Sequence, residues 1–259
     1  MGKIISIVNQ KGGVGKTTTV INLSSYLAHL GKNVLIVDID PQANATSGVG
    51  VNHRELPHGI YEAIIGHQPI YSVIKKTVQD RLHIAPSSAS LAGAGIELVG
   101  VDEREYRLRK ILDTIKHEYD YIIIDGPPSL GLLTVNSLIA ADEVLIPIQS
   151  EYYALEGLGQ LLETIELVRT HLKPDLGIMG AIITMFDQRN KLSTLVMNEI
   201  YQYFPNKVFR TIIPRSVRLA EAPSYGRSIL HYQPSSNGAK AFEKLAREII
   251  DMEDAAHNK

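Results

Sequence analysis

The chain has 259 residues, 44% of them hydrophobic, which is enough to bury one large α/β core as a single unit over 1–259 without a second domain. It holds no cysteine, and that excludes disulfides, a thiol nucleophile and an iron–sulfur cluster. The formal net charge is −2, no apolar run approaches the roughly 18 residues of a membrane span, and the first residues run straight into a core-type strand, so a cytoplasmic protein without a signal peptide is expected.

Ile4-Ile5-Ser6-Ile7-Val8 reads as a buried strand, and a helical pattern follows from about Thr17 to Leu30, with Gly31 as its stop. Between them lies Asn9-Gln10-Lys11-Gly12-Gly13-Val14-Gly15-Lys16-Thr17-Thr18. This strand, loop and helix order is what a phosphate-cradling loop requires. Glycines 12, 13 and 15 keep side chains away, so the loop amides, that of Val14 included, can turn inward as an anion nest at a helix N-terminus. Lys16 is placed to reach the β- and γ-phosphates, Thr17 to ligate magnesium and Thr18 to hold the α-phosphate. The strict G-x-x-x-x-G-K-[ST] pattern fails, because Gln10 stands at its first position, and K-G-G-x-G-K-[ST] remains, with Lys11 as an additional lysine.

Val34-Leu35-Ile36-Val37 reads as a second buried strand ending in Asp38-Ile39-Asp40-Pro41. Ligands of open α/β sheets bind at such strand ends. An extended backbone puts both carboxylates on one face, aimed at one ligand, although one of them can instead cap the turn at Pro41. Residues 43–70 are less periodic and richer in Gly, His and Asn, which suggests a mobile surface segment near the nucleotide. Tyr121-Ile122-Ile123-Ile124 ends in Asp125, the pattern that holds magnesium directly or through water, and Gly126-Pro127-Pro128 then forms a rigid turn. Further strands are expected at 82–85, 143–148, 178–183 and 208–213, and helices at 104–118, 152–171, 191–203 and 238–252. Alternation of this kind predicts one doubly wound, mostly parallel sheet with helices on both faces.

Charge is unevenly spread. Residues 188–250 hold ten Lys and Arg against four acids, so this segment is +6 and the remainder −8. An anionic partner on one face is the expectation, with Arg189, Arg218 and Arg227 in loops where phosphate contacts are commonly made. No base-reading helix or aromatic stripe accompanies them, so binding to DNA phosphates would be sequence-independent and salt-sensitive.

With these motifs the chain resembles the deviant Walker A, or deviant P-loop, ATPases, which include the ParA partition proteins, MinD and the nitrogenase iron protein. Thr211-Ile212-Ile213-Pro214-Arg215-Ser216-Val217-Arg218-Leu219-Ala220-Glu221-Ala222-Pro223-Ser224-Tyr225-Gly226 is similar to the C-terminal signature of chromosomal ParA proteins of the Soj type, and the resemblance covers nearly the whole chain. It implies that Lys11 reaches the nucleotide of a second subunit, that Asp40 positions the attacking water, and that Asp38 supports the magnesium shell. It further implies that Arg189 and Arg218 bind DNA and that Pro214 and Ser216 flank the adenine. Ser216 departs from the family, where asparagine is common.

The resemblance thus implies a switch using ATP and Mg2+: an ATP-dependent homodimer that binds non-specific double-stranded DNA and is nucleoid-associated in that state. Its slow hydrolysis is stimulated by a ParB-type centromere-binding partner, and chromosome or plasmid partitioning follows. No stable membrane association is expected. Two other readings stay open. A MinD-like membrane switch would use Phe242, Leu245, Ile249 and Ile250 as an amphipathic face, although the following Asp251-Met252-Glu253-Asp254 is acidic. A metabolic ATP-dependent ligase would need catalytic groups of its own, and the nine histidines are scattered without ligand spacing.

Overall fold

A computed structural model describes residues 2–151 and 154–257. Its seven strands are β1 (Lys3–Ile7), β2 (Val34–Asp38), β3 (Lys75–Lys76), β4 (Leu82–Ala85), β5 (Tyr121–Asp125), β6 (Glu143–Gln149) and β7 (Gly177–Thr184). They form one sheet in the order β3-β4-β2-β5-β1-β6-β7. Every pairing is parallel except that of the edge strand β3 with β4, and that short strand was not anticipated from the sequence.

The helices are α1 (Lys16–His29), α2 (Asn44–Gly48), α3 (Ile60–Ile65), α4 (Ile70–Val73), α5 (Ala94–Glu97), α6 (Arg107–Asp113), α7 (Leu132–Ala140), α8 (Ala154–His171), α9 (Lys191–Tyr203), α10 (Val217–Glu221), α11 (Ile229–Tyr232) and α12 (Asn237–His257). Strand periodicity explains how they are divided between two layers. Leu35 and Val37 with Ile122 and Ile124 point into one core, closed by α3, α6, α7, α8 and α9. Val34 and Ile36 with Tyr121 and Ile123 point into the other, closed by α1 and α12. The doubly wound sheet of the sequence reading is therefore present. Phe242, Leu245 and Ile249 of α12 are each at most 1% exposed, so core packing has already taken the face a membrane-binding helix would need. Among the described residues, no helix is long and apolar enough to cross a membrane.

Four expectations need correction or trimming. Residues 208–213 are not a strand. They run beside β7, and the Phe209 and Ile213 amides donate to the Ala181 and Ile183 carbonyls, but between them the Arg210 and Thr211 amides donate to the Glu248 carboxylate at 2.8 and 3.1 Å and interrupt the ladder. Only isolated bridges remain, from Val208 to Ala181 and from Pro214 to Phe186. Residues 43–70 are not simply surface, since Thr46, Ile60 and Ile64 in α2 and α3 are 0% exposed. The helix expected over 104–118 is reduced to α6, with single 3-10 turns at Arg104–Tyr106 and Lys116–Glu118. In the helix expected over 152–171, residues 152 and 153 lie outside the described residues, and α8 covers the rest.

Candidate nucleotide site and basic cleft

The register of the sheet assembles the site. Asp38 and Asp125 are direct partners on β2 and β5, and Asp125 also pairs with Ile7, the last residue of β1 before the phosphate loop. All three strand ends therefore meet at the N-terminus of α1. Gly13 and Gly15 have φ of 75° and 90°, the left-handed region that side chains resist, and Gly15 is the N-cap of α1. No side chain caps α1, and its first turn holds no acid, so its amides are offered to an anion. Two buried polar residues fix the loop from outside. Asn9 donates to the Pro147 carbonyl at 2.7 Å and accepts from the Lys11 amide at 3.0 Å, and the Thr184 hydroxyl donates to the Val14 carbonyl at 2.8 Å. Within the loop, Lys16 Nζ donates to the Lys11 carbonyl at 3.2 Å.

The three carboxylates differ in what holds them. Asp38 is saturated: Oδ1 accepts from the Asp40 amide at 3.1 Å, and Oδ2 accepts from the Thr46 amide and hydroxyl at 2.8 and 2.7 Å. Burial, only partly offset by these bonds, pushes its carboxyl up to about 6. Asp40 lies beyond the end of β2. The turn at Asp38, rather than strand alternation, brings it to the site, and its Oδ1 accepts from the Gln42 amide at 2.9 Å, so Asp40 does cap the turn at Pro41 while staying 7% exposed. Asp125 is 0% exposed, and neither of its oxygens has a hydrogen-bond partner among the described residues. Burial first, then the neighbouring Asp38, raises its pKa well above the carboxylate range. The Thr17 hydroxyl and Lys16 oppose this, the former without reaching hydrogen-bond geometry. Burial also lowers the pKa of Lys16, against the pull of Asp125 and Asp40.

An orphaned, fully buried carboxylate beside a threonine hydroxyl at a phosphate loop is the donor set that suits a magnesium ion. Asp125 and Thr17 fit as direct ligands, and the saturated Asp38 fits an outer position.

Behind the loop, a cavity of about 360 Å3 is lined by Gly15, Thr18, Met185, Pro214, Ser216 and Leu219. It is the right kind of place for a base, and both Pro214 and Ser216 reach it. A larger cleft of about 980 Å3 shares Pro214, Arg215 and Val217 with it and is lined by the cations Arg189, Arg210, Arg215, Lys240 and Lys244 and by Asp187. Arg189 holds Asp187 in a two-bond pair, and the Asp187 carboxyl falls to about 2. Arg218 is not in a loop but on α10, next to the cleft residue Val217, and donates to Glu221 at 2.8 Å. Arg227 is exposed in the loop before α11, where it borders a different crevice with Ser25 and His231.

Sequence reasoning missed Thr46, Ser87 and Asn9 as supports of the site. Thr46 fell in the segment read as surface, and Ser87 reaches the site only through the fold, donating its hydroxyl to the Asp40 carbonyl at 2.7 Å and its amide to Thr46 Oγ1 at 2.9 Å.

A family model described as an AAA domain matches residues 2–178. The sporulation initiation inhibitor protein Soj of Bacillus subtilis is 53% identical over 249 residues, 96% of this chain and 98% of that protein. The chromosome partitioning protein ParA of Myxococcus xanthus is 50% identical over 250 residues, covering 96% and 88%. Among solved structures, a cobyrinic acid a,c-diamide synthase from Mycobacterium smegmatis with bound ADP and magnesium superimposes with a TM-score of 0.87 at 33% identity, over 99% of this chain and 97% of that one. Identity near one half, sustained over almost the full length of this chain, makes the assignment plain: the chain belongs to the ParA/Soj family of chromosome-partitioning ATPases, with ATP as substrate and magnesium as cofactor.

Proposed function

We propose that this ATPase is a nucleotide-timed DNA-binding switch: ATP favours a homodimer, the dimer binds duplex DNA without sequence preference, and hydrolysis releases it. The observation that carries the reading is the cleft lined by Arg189, Arg210, Arg215, Lys240 and Lys244, set against the nucleotide pocket in a chain whose net charge is −2. Five cations on one concave surface fit a polyanion, and neutralising backbone phosphates gives affinity without base readout. Dimerisation doubles the contacts available to one particle and so steepens the response.

In this reading the residues divide the work as follows. Lys16 and the amides from Gly12 to Thr18 bind and orient the phosphates, and Lys11 supplies a cation where two nucleotides would otherwise face each other. Thr17 and Asp125 would hold the magnesium ion, which would supply screening of the phosphate charge when bound. Asp40, nearly buried and anchored by its turn, orients the attacking water, and Thr46 and Ser87 keep that turn in place. Pro214 and Ser216 flank the base, and Arg189 with Arg218 contacts DNA phosphates. Arg227 belongs to the same basic segment but lies outside the cleft. A ParB-type protein bound to centromere-like DNA is the proposed accelerator of hydrolysis, and nucleoid association follows from the ATP state.

The ligase reading has less behind it. Among the described residues that line the cleft beside the nucleotide, Asp187 is the one carboxylate, and Arg189 keeps it ionised and occupied, while Glu151 at its edge is taken by Arg215. The test is binding to arbitrary duplex DNA with ATP, with ADP, and with Asp40→Ala protein in ATP, following mass and salt dependence together. Binding by an ATP-dependent dimer that Asp40→Ala prolongs supports the switch. Indifference to DNA in every nucleotide state ends it.

A further inference from the structure

One carboxylate touches both sites. Glu151 follows β6, and its amide donates to the Gln149 carbonyl at 2.8 Å. The buried Gln149 side chain donates back to Glu151 Oε1 at 2.5 Å, so the head group is held by the strand end. Arg215 Nη2 donates to the same Oε1 at 3.0 Å, and Lys11 Nζ stands 4.0 Å from Oε2. Neither cation has another ion pair among the described residues. Lys11 belongs to the phosphate loop. Arg215 lines both the nucleoside cavity and the basic cleft, and its backbone is fixed by a bond from its amide to the Phe186 carbonyl at 3.0 Å.

We infer that Glu151 is a positioning residue that restrains Lys11 and Arg215 together, so that a single carboxylate sets the threshold for both nucleotide-dependent assembly and polyanion binding. A phosphate that takes Arg215 Nη2 or draws Lys11 Nζ into the loop competes with the same head group. Glu151 is 46% exposed on its side chain, so each pair is weak and readily exchanged, which suits a restraint that must yield to ligand. Breaking an exposed pair of this kind shifts an equilibrium by about two- to fivefold.

The experiment compares wild type with Glu151→Gln in two assays: duplex DNA binding with ADP across a salt series, and the ATP concentration giving half-maximal dimer by mass. Glu151→Gln is expected to tighten DNA binding about threefold and to steepen the salt slope by about 0.9 per protomer, as one added phosphate contact does. It should also lower the ATP requirement about threefold. Adding Arg215→Ala should remove the DNA gain and keep the ATP gain. Adding Lys11→Ala should do the reverse. Glu151→Asp, which keeps the charge, should fall between the parents, and Glu166→Gln on α8 should change neither assay. No change in either assay for Glu151→Gln overturns the inference, as does a DNA gain that survives Arg215→Ala. The DNA assay rests on the function proposed above, and wild type with ATP checks that separately: if wild type ignores DNA, the proposed function fails, while the ATP assay still decides the role of Glu151 at Lys11.

Discussion

The nucleotide end of the sheet and the basic cleft adjoin through the segment around Pro214, yet they handle charge in opposite ways. At the nucleotide end, Asp38 and Asp125 are wholly buried, Asp38 presses on Asp125, and Asp125 has no hydrogen-bond partner among the described residues. In the cleft the arginines are exposed, and those that are paired meet single surface acids, Arg189 with Asp187 and Arg215 with Glu151. Buried like charges cost stability and are kept for a ligand that neutralises them, whereas exposed cations cost little and act by number. Removing a buried carboxylate at the first region should therefore move stability and activity in opposite directions, and mutations at the second should move affinity alone.

The largest expected effect is at Asp125. Asp125→Asn removes a carboxyl that folding must either protonate or bury charged, and it breaks no hydrogen bond among the described residues, so it should raise the melting temperature of the ligand-free protein while phosphate release falls by about a hundredfold or more. Calorimetry and a phosphate assay read both. A lower melting temperature would break the contrast between the regions.

Next comes pH. The Asp38 carboxyl is raised to about 6 in the folded state, so its charged form is disfavoured there, and its contribution to stability is greatest below the unfolded pKa near 4 and is lost as pH climbs through 6. Taking the ligand-free protein from pH 7 to pH 4 should recover about 2–3 kcal/mol at this site relative to Asp38→Asn, in paired denaturant melts. Magnesium nucleotide should act in the opposite sense, binding better as pH rises and the carboxylates ionise.

Thr46→Val should cost about 1–3 kcal/mol, because a 0% exposed hydroxyl that joins Asp38 to the Ser87 amide would be lost and both groups left buried. Chemical denaturation at fixed pH measures it, and a neutral result would mean that α2 is not part of the support. The cleft should respond differently. Lys244→Glu should weaken DNA binding about three- to tenfold and reduce the salt slope, yet leave stability within about 0.5 kcal/mol. Smallest of all is Arg227→Ala, which should weaken DNA binding less than Arg189→Ala because Arg227 borders another crevice.

Much of the site was legible because it is encoded locally. The loop from Lys11 to Thr18 carries its glycines, lysines and threonines consecutively, and the runs ending at Asp38 and Asp125 are continuous apolar strands that a parallel sheet buries on both faces. Residues 208–213 misled for the same reason: an apolar run with β-branched residues looks like a strand whether or not its amides find a sheet. Glu248, nearly forty residues later, takes two of them. Arg218 was assigned to a loop because α10 spans only Val217–Glu221, too short to declare a helical period.

What the sequence determined by itself was the chemistry: a phosphate loop with an additional lysine, two acids at one strand end, one at another, and an excess of cations in the last third. Which of those acids is saturated and which is bare was decided only in three dimensions, because Thr46 reaches Asp38 after the chain has folded back and nothing comparable among the described residues reaches Asp125. The cleft is likewise tertiary, drawing Arg189, Arg215 and Lys244 from three separate segments, and so is the sharing of Glu151 between Lys11 and Arg215. Backbone propensity and side-chain type are properties of short windows, whereas the partner of a charge is chosen by whichever distant segment the packing of the two cores sets beside it.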